Sequence, residues 1–318
     1  MKRNLIILLA FLTSSIAVCA QSNLHRYNID PDSTGNGIKK IYNGHLATVD
    51  VSKKSNYKLL IAIPGTGGTA YAFKHLSDVA AGMGYHAISI DYPNKRNTAT
   101  LGGSADKLVF NKFRQELAFG TPVSDSINID TANSIINRIT MLMIYLAKTR
   151  PSEGWEQFLK DGSLIWDKVV VAGHSQGAGH AAYIGTQFKV HRVIMFSGPQ
   201  DFLAVYDTPA PWLSGQSATA AKNYYSLLHT NDPYNTDRQT RNDLTLMHTD
   251  STVITRFTLK PTFKSKTRIF ISDAPISAAD LFDDPAKAAA TVKLSAPSAH
   301  HSSTIRPLYA DVWRYLLD

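Results

Sequence analysis

Apolar residues recur along this chain with two different spacings, and the alternation between them lays out an order of elements. Short unbroken apolar runs at Tyr57 to Ile63, Tyr85 to Ile90, Val169 to Val171, His191 to Phe196 and Tyr224 to His229 read as strands buried on both faces of a parallel sheet. Arg268 to Ser272 is a further strand of the same kind. Between the first two, Phe73, Leu76, Val79, Ala80 and Met83 share one helical face, and Gly84 closes that helix. The clearest helix is expected over Ile129 to Leu146, where Ile129, Ala132, Ile135, Ile136, Ile139, Leu142, Met143 and Leu146 recur at three- and four-residue steps. Ser126 or Asp125 is placed to cap it, and Arg150-Pro151 to stop it. Further helices are expected over Lys107 to Leu117 and, with proline in its first turn, over Pro307 to Leu317. Trp155 to Asp167 reads as a connecting turn with a short helix, and the polar stretch Asn23 to Ser55, with Leu46, Val49 and Val51, as edge strands. Strand, helix, strand with short links is a parallel βαβ unit, and these units continue without a linker. The pattern predicts an α/β fold in a single domain over residues 21–318.

Composition adds a compartment. The chain has 318 residues, 44% hydrophobic and 18% charged, as an ordinary globular protein does. Lys2 and Arg3, the apolar run Leu5 to Val18 and Val18-Cys19-Ala20 read as a signal peptide over residues 1–20, so export to the periplasm or beyond is expected. The competing reading is a lipoprotein anchored through Cys19, although Val18 is bulky for such a site. Cleavage after Ala20 removes the single cysteine, which excludes disulfides and thiolate chemistry from the mature chain. It also lowers the formal charge from +8 to +6. The positive residues are scattered, with Lys39-Lys40 and Lys53-Lys54 the densest pairs, so neither nucleic acid nor a membrane span is expected as a partner. Asp30 to Gly37 has the look of a calcium loop, but Ile41 stands where the bidentate acid belongs, so a turn is expected and no metal or cofactor.

The candidate chemistry follows the Val169 strand. Gly173-His174-Ser175-Gln176-Gly177 fits G-x-S-x-G, in which a serine sits on a sharp turn between strand and helix with small residues on both sides. Earlier, Pro64-Gly65-Thr66-Gly67-Gly68 forms a glycine turn between a strand and a helix. The same glycines, as Gly65-x-Gly67-x-x-Ala70 with Asp91 ending the next strand, fit a dinucleotide fingerprint, a competing reading that an exported chain disfavours.

These two motifs, in this order of strands and helices, resemble the α/β-hydrolase superfamily over roughly residues 57 to 318, on its secreted bacterial esterase and lipase side. The resemblance implies a mostly parallel central sheet flanked by helices, with lid-like insertions at Phe202 to Gln216 and Asp273 to Pro297. It implies a serine hydrolase acting on a small-molecule or polymer-borne ester, with Ser175 as nucleophile followed along the chain by an acid and a histidine. Asp232, after the Tyr224 strand, is the preferred acid, and Asp201 the alternate. The base is expected in a loop at Ser298 to Ser303, where His300 is preferred over His301 because the family resembles A-H-x-S there. The oxyanion hole is expected from the N–H groups of Gln176 and Thr66, with Gly67 as the alternate. The family's H-G-G-G is not matched at its first position. His174 and His180 are expected to pack around the serine turn and His229 to stand beside the acid, while Phe202, Tyr206 and Trp212 are candidates to line an apolar pocket. A hydrolase fold used only for binding is the remaining alternative.

Overall fold

The computed structural model describes residues 23–277, 280–281 and 296–318. The signal-peptide reading of residues 1–20 and most of the second expected insertion lie outside the described residues.

Among the described residues, nine strands form one sheet. In chain order they are β1 (Leu24–Ile29), β2 (His45–Asp50), β3 (Leu59–Ile63), β4 (His86–Ser89), β5 (Val169–His174), β6 (Arg192–Phe196), β7 (Tyr224–His229), β8 (Ile254–Phe257) and β9 (Ile269–Ser272). Their spatial order is β1-β2-β4-β3-β5-β6-β7-β9-β8. Pairing is parallel from β4 onward, and β1 and β2 form an antiparallel edge. This is the α/β architecture, built on a mostly parallel sheet, that the residue pattern predicts.

The sheet is buried on both faces because its strands carry apolar side chains at successive positions, which point to opposite sides. Leu59, Ile61, Ile63, Val169 and Val171 pack into one core, with Phe113 of α2 (Val109–Phe119), Ile139 and Leu142 of α3 (Ile135–Thr149) and Ala181 and Ile184 of α4 (Gln176–Gln187). Leu60, Ala62, Val170 and Ala172 pack into the other, with Leu76 of α1 (Lys74–Gly82) and Trp313 of the C-terminal helix (Ala310–Leu317). The interior pairs Ile61↔Val171 and Val171↔Val193 put β5 at the centre of the sheet.

Four elements depart from the sequence reading. α3 begins at Ile135, capped by Ser134, six residues later than the periodicity suggests. The backbone before it is held by the buried Glu116, whose carboxylate accepts the amides of Val123, Ser124 and Ile129 at 3.0, 2.8 and 2.9 Å. α5 (Thr236–Leu246) and β8 are missing from the reading altogether. The inner face of α5 is polar, with Gln239, Asn242 and Asp243 buried, so hydropathy does not reveal it. The segment expected to be a loop carrying the base is a helix, α6 (Ala296–Ser303), which makes the terminal helix α7.

The Phe202 insertion does not form an apolar lid. Trp212 is buried against Tyr183, and its ring nitrogen donates to Asp201 at 2.9 Å. Tyr206 is exposed and bonds the Ala105 carbonyl, and Phe202 lines a cavity of about 240 Å³. Asp30 does form a turn, its carboxylate accepting from the amide of Asp32 at 3.3 Å and from Lys40 at 3.0 Å.

Candidate active site

The candidate residues gather beyond the carboxyl ends of β3, β5 and β7, where parallel α/β sheets bind ligands. Ser175 follows β5 directly and precedes α4, with φ 55° and ψ −119°, a conformation that a non-glycine residue rarely adopts. The turn is tight enough to demand glycine on both sides. A Cβ on Gly173 would lie 2.0 Å from the Gly177 carbonyl oxygen, and one on Gly177 would lie 1.9 Å from that of Ile63. Ser175 is anchored by its own N–H, which donates to the Phe196 carbonyl of β6 at 2.8 Å.

The histidine that meets the acid is His301, not the preferred His300. His301 Nδ1 and Asp232 Oδ2 are 2.8 Å apart, with the carboxylate fully buried. Asp232 also accepts the Tyr234 amide at 2.9 Å. Burial by itself would raise the Asp232 carboxyl, but the His301 bond and charge, the Tyr234 amide and the nearby Gln239 side chain hold it below its usual value. An ionised carboxylate only accepts, so the proton of this bond lies on Nδ1. Adjacent residues on a helix are turned about 100° from one another, so His300 cannot face the same acid. Its ring instead packs 4.5 Å from that of His229, whose Nε2 donates to the Ala274 carbonyl at 2.9 Å.

His301 is held from behind as well. Its backbone carbonyl accepts from His174 Nε2 at 2.9 Å and from Ser197 Oγ at 2.8 Å. Burial, aided by the nearby His301 ring, lowers the His174 pKa to about 3, so this support stays neutral. Ser175 and His301 line one cavity of about 270 Å³ with Gly65, Thr66, His174 and Tyr234. No hydrogen bond joins the Ser175 hydroxyl to the His301 ring among the described contacts.

The alternate acid, Asp201, is engaged elsewhere. It is fully buried and takes two bonds from Arg114, at 2.9 and 2.5 Å, besides the one from Trp212. Arg114 also donates to the Gln176 carbonyl at 2.8 Å, so this ion pair braces the first turn of α4. Gly179 leaves room for the Arg114 side chain on α4, since Arg114 Nη2 would lie 2.0 Å from a Cβ there.

The glycine loop presents amides to the cavity for a reason visible in its carbonyls. Asn94 Nδ2 binds the carbonyls of Gly65 and Gly68 at 2.8 and 2.9 Å, and Tyr92 binds that of Pro64 at 2.7 Å. In a trans peptide the N–H opposes the C=O, so the Thr66 N–H points away from Asn94. Gly67, the alternate donor, gives its N–H to the Asn94 carbonyl at 3.2 Å. The Ser175 carbonyl accepts from Ala178 and Gly179 inside α4, which turns the Gln176 N–H outward from the helix N-terminus. Thr66 Oγ1 donates to Gln176 Oε1 at 2.7 Å and ties the two donors' residues together.

Asp91, the ribose ligand of the dinucleotide reading, is buried, and its carboxylate accepts the amides of Ile41 and Tyr42 at 2.7 and 3.0 Å. His180 packs, as expected, beneath the serine turn, between Tyr92 and Phe113. Asn94, Ser197 and Tyr234 are absent from the sequence reading because single polar residues after strands carry no pattern of their own.

Neither the comparison with protein-family models nor that with curated proteins finds a match. Among solved structures, the crystal structure of TT1662 from Thermus thermophilus is similar to this chain at 15% identity and a TM-score of 0.46, over 93% of this chain and 98% of that one.

Proposed function

We propose that the protein is a serine hydrolase that cleaves carboxylic esters through an acyl-enzyme on Ser175. One observation carries the reading: a serine on a strained strand-to-helix turn shares a cavity with a histidine whose far nitrogen is bonded to a buried carboxylate. His301 Nε2 takes the Ser175 proton as the hydroxyl oxygen attacks the ester carbonyl, and Asp232 stabilises the imidazolium. The oxygen of the tetrahedral intermediate is met by the N–H groups of Thr66 and Gln176, the second reinforced by the positive end of α4. The imidazolium protonates the leaving alcohol, and a water activated by the same ring then releases the acid. Catalytic hydrogen bonds often tighten only with substrate bound, which accommodates the open Ser175 hydroxyl. The reading includes export behind residues 1–20, supported by the charged start and the apolar run after it.

A fluorophosphonate probe tests the nucleophile. Wild-type protein is expected to be labelled and to hydrolyse p-nitrophenyl acetate, and Ser175→Ala to do neither. Labelling that persists in Ser175→Ala, or its absence from the wild type, would remove the assignment. Hydrolysis of a peptide control but of no p-nitrophenyl ester, whatever the chain length, would replace the substrate class.

A further inference from the structure

A second cavity of about 240 Å³ adjoins the one that holds Ser175, and Ala99, Gln200 and Tyr234 line both. Either is small for a ligand site, whereas the two together fall within the usual ~300–1,000 Å³. The lining of this annex is unlike that of an acyl pocket. Gln239 and Asn242 line it from α5, fully buried; the Gln239 carboxamide lies near enough to Asp232 to help hold its carboxyl down, but neither of its atoms is in hydrogen-bond geometry with a partner. Asn242 gives its Nδ2 to the Pro199 carbonyl at 3.0 Å and keeps a partnerless Oδ1. Arg238 lies over the Phe202 ring, 5.0 Å from its centroid. At the junction stands Tyr234, an exposed aromatic ring whose centroid is 4.6 Å from that of His301.

Leaving a buried amide unpaired costs about 1–3 kcal/mol, so donor and acceptor atoms in this state mark a place where a partner is expected. A carboxamide offers donors and acceptors side by side, as a run of sugar hydroxyls requires, and an aromatic ring takes the C–H face of a pyranose. Of the two guanidinium groups over the Phe202 ring, Arg241 is paired with Asp207 at 3.1 Å, which leaves Arg238 alone to meet an anion. We infer that the annex binds the sugar of a carbohydrate ester, so that the alcohol released after His301 protonates the ester oxygen is a saccharide hydroxyl. This rests on the serine-hydrolase reading for the reaction but not for the binding.

Binding and turnover can therefore be measured apart. In calorimetric titrations the full-length Ser175→Ala protein is expected to bind xylobiose or cellobiose saturably. Gln239→Leu in that background should weaken binding at least tenfold. Gly103→Phe provides a second variant: Gly103 lines the annex and a Cβ there meets no atom within 4 Å, so a large side chain is tolerated and is expected to narrow the space. It too should weaken binding at least tenfold, with an unchanged circular dichroism spectrum. Absence of saturable binding, or an affinity in both variants equal to that of Ser175→Ala alone, would overturn the sugar site, as would binding of succinate in preference to either disaccharide. Disaccharide binding without hydrolysis of p-nitrophenyl acetate would leave the sugar site and remove the esterase reading. Hydrolysis without disaccharide binding would do the reverse.

Discussion

Ser175 keeps an unfavourable backbone conformation because its surroundings leave it no other. Such a residue costs about 1–3 kcal/mol and persists only where neighbours over-determine it, here through Gly173, Gly177 and the bond to Phe196. The same scale decides between the two histidines. The A-H-x-S resemblance favours His300, but helical rotation turns only one of two adjacent rings toward Asp232, and that one is His301. Two variants separate them in an ester-hydrolysis assay. His301→Ala is expected to lower kcat by roughly 10³-fold or more, since the proton acceptor is lost. His300→Ala, which removes a ring packed on His229, should keep most of the activity. Loss confined to the His300 variant would mean that the Asp232–His301 pair is not the one used.

At the scale of elements, the serine turn depends on contacts that no local pattern announces. α2 supplies Arg114, which reaches across α4 over Gly179, binds the Gln176 carbonyl and pairs with Asp201 in the dry interior. Removing one member of a buried pair leaves an uncompensated charge, so Arg114→Met should destabilise the protein by about 3–5 kcal/mol in urea unfolding. Adding Asp201→Leu to that variant should recover much of the loss, because two apolar side chains can replace a buried pair nearly neutrally. A single variant within about 1 kcal/mol of wild type would show that the pair does not brace α4. α5 teaches the same lesson from sequence. Its buried positions are glutamine, asparagine and aspartate, so a period sought in apolar residues passes over it, although it forms the wall of the annex.

Over the whole molecule, several histidines are buried as neutral rings, and they set its response to acid. Burial, assisted by the Arg138 charge, lowers the His45 pKa to about 3, and His174 is lowered alike. His180 is pushed well below its ordinary value, by burial first and then by the Arg114 charge, and neither of its ring nitrogens has a partner. The unfolded chain binds a proton at each of these positions below about pH 6.5, whereas the folded chain does not. Stability is therefore whole above that pH and falls as the solution is acidified toward the folded values, with a slope of about 1.4 kcal/mol per pH unit per residue. His180→Leu removes one such contribution along with two unsatisfied nitrogens. Its Tm should match or exceed that of wild type at pH 7.5, and the difference should widen in its favour toward pH 5. A difference that is constant across this range would mean that His180 already carries a proton in the folded state.

The sequence by itself determined most of the order of strands and helices, though not α5, β8 or the helix that carries His301, together with the parallel sheet and the serine turn. Each of these is written in neighbouring residues: continuous apolar runs for strands buried on both faces, three- and four-residue spacing for helices, and glycines where a Cβ would collide with backbone. The serine, acid, histidine order implied by the resemblance pointed to Asp232 and to a histidine at 300 or 301, and the structure sets Asp232 against His301. Only the tertiary structure decided which of two adjacent histidines faces the acid, since that turns on the rotation of a helix whose polar sequence conceals it. Only the tertiary structure withdrew Asp201 and Gly67 from the site, by giving one to Arg114 and the other to Asn94. The amide-lined annex belongs to the same class. Its walls come from segments far apart in sequence, and whether an amide is left without a partner is a property of packing that no single stretch of chain contains.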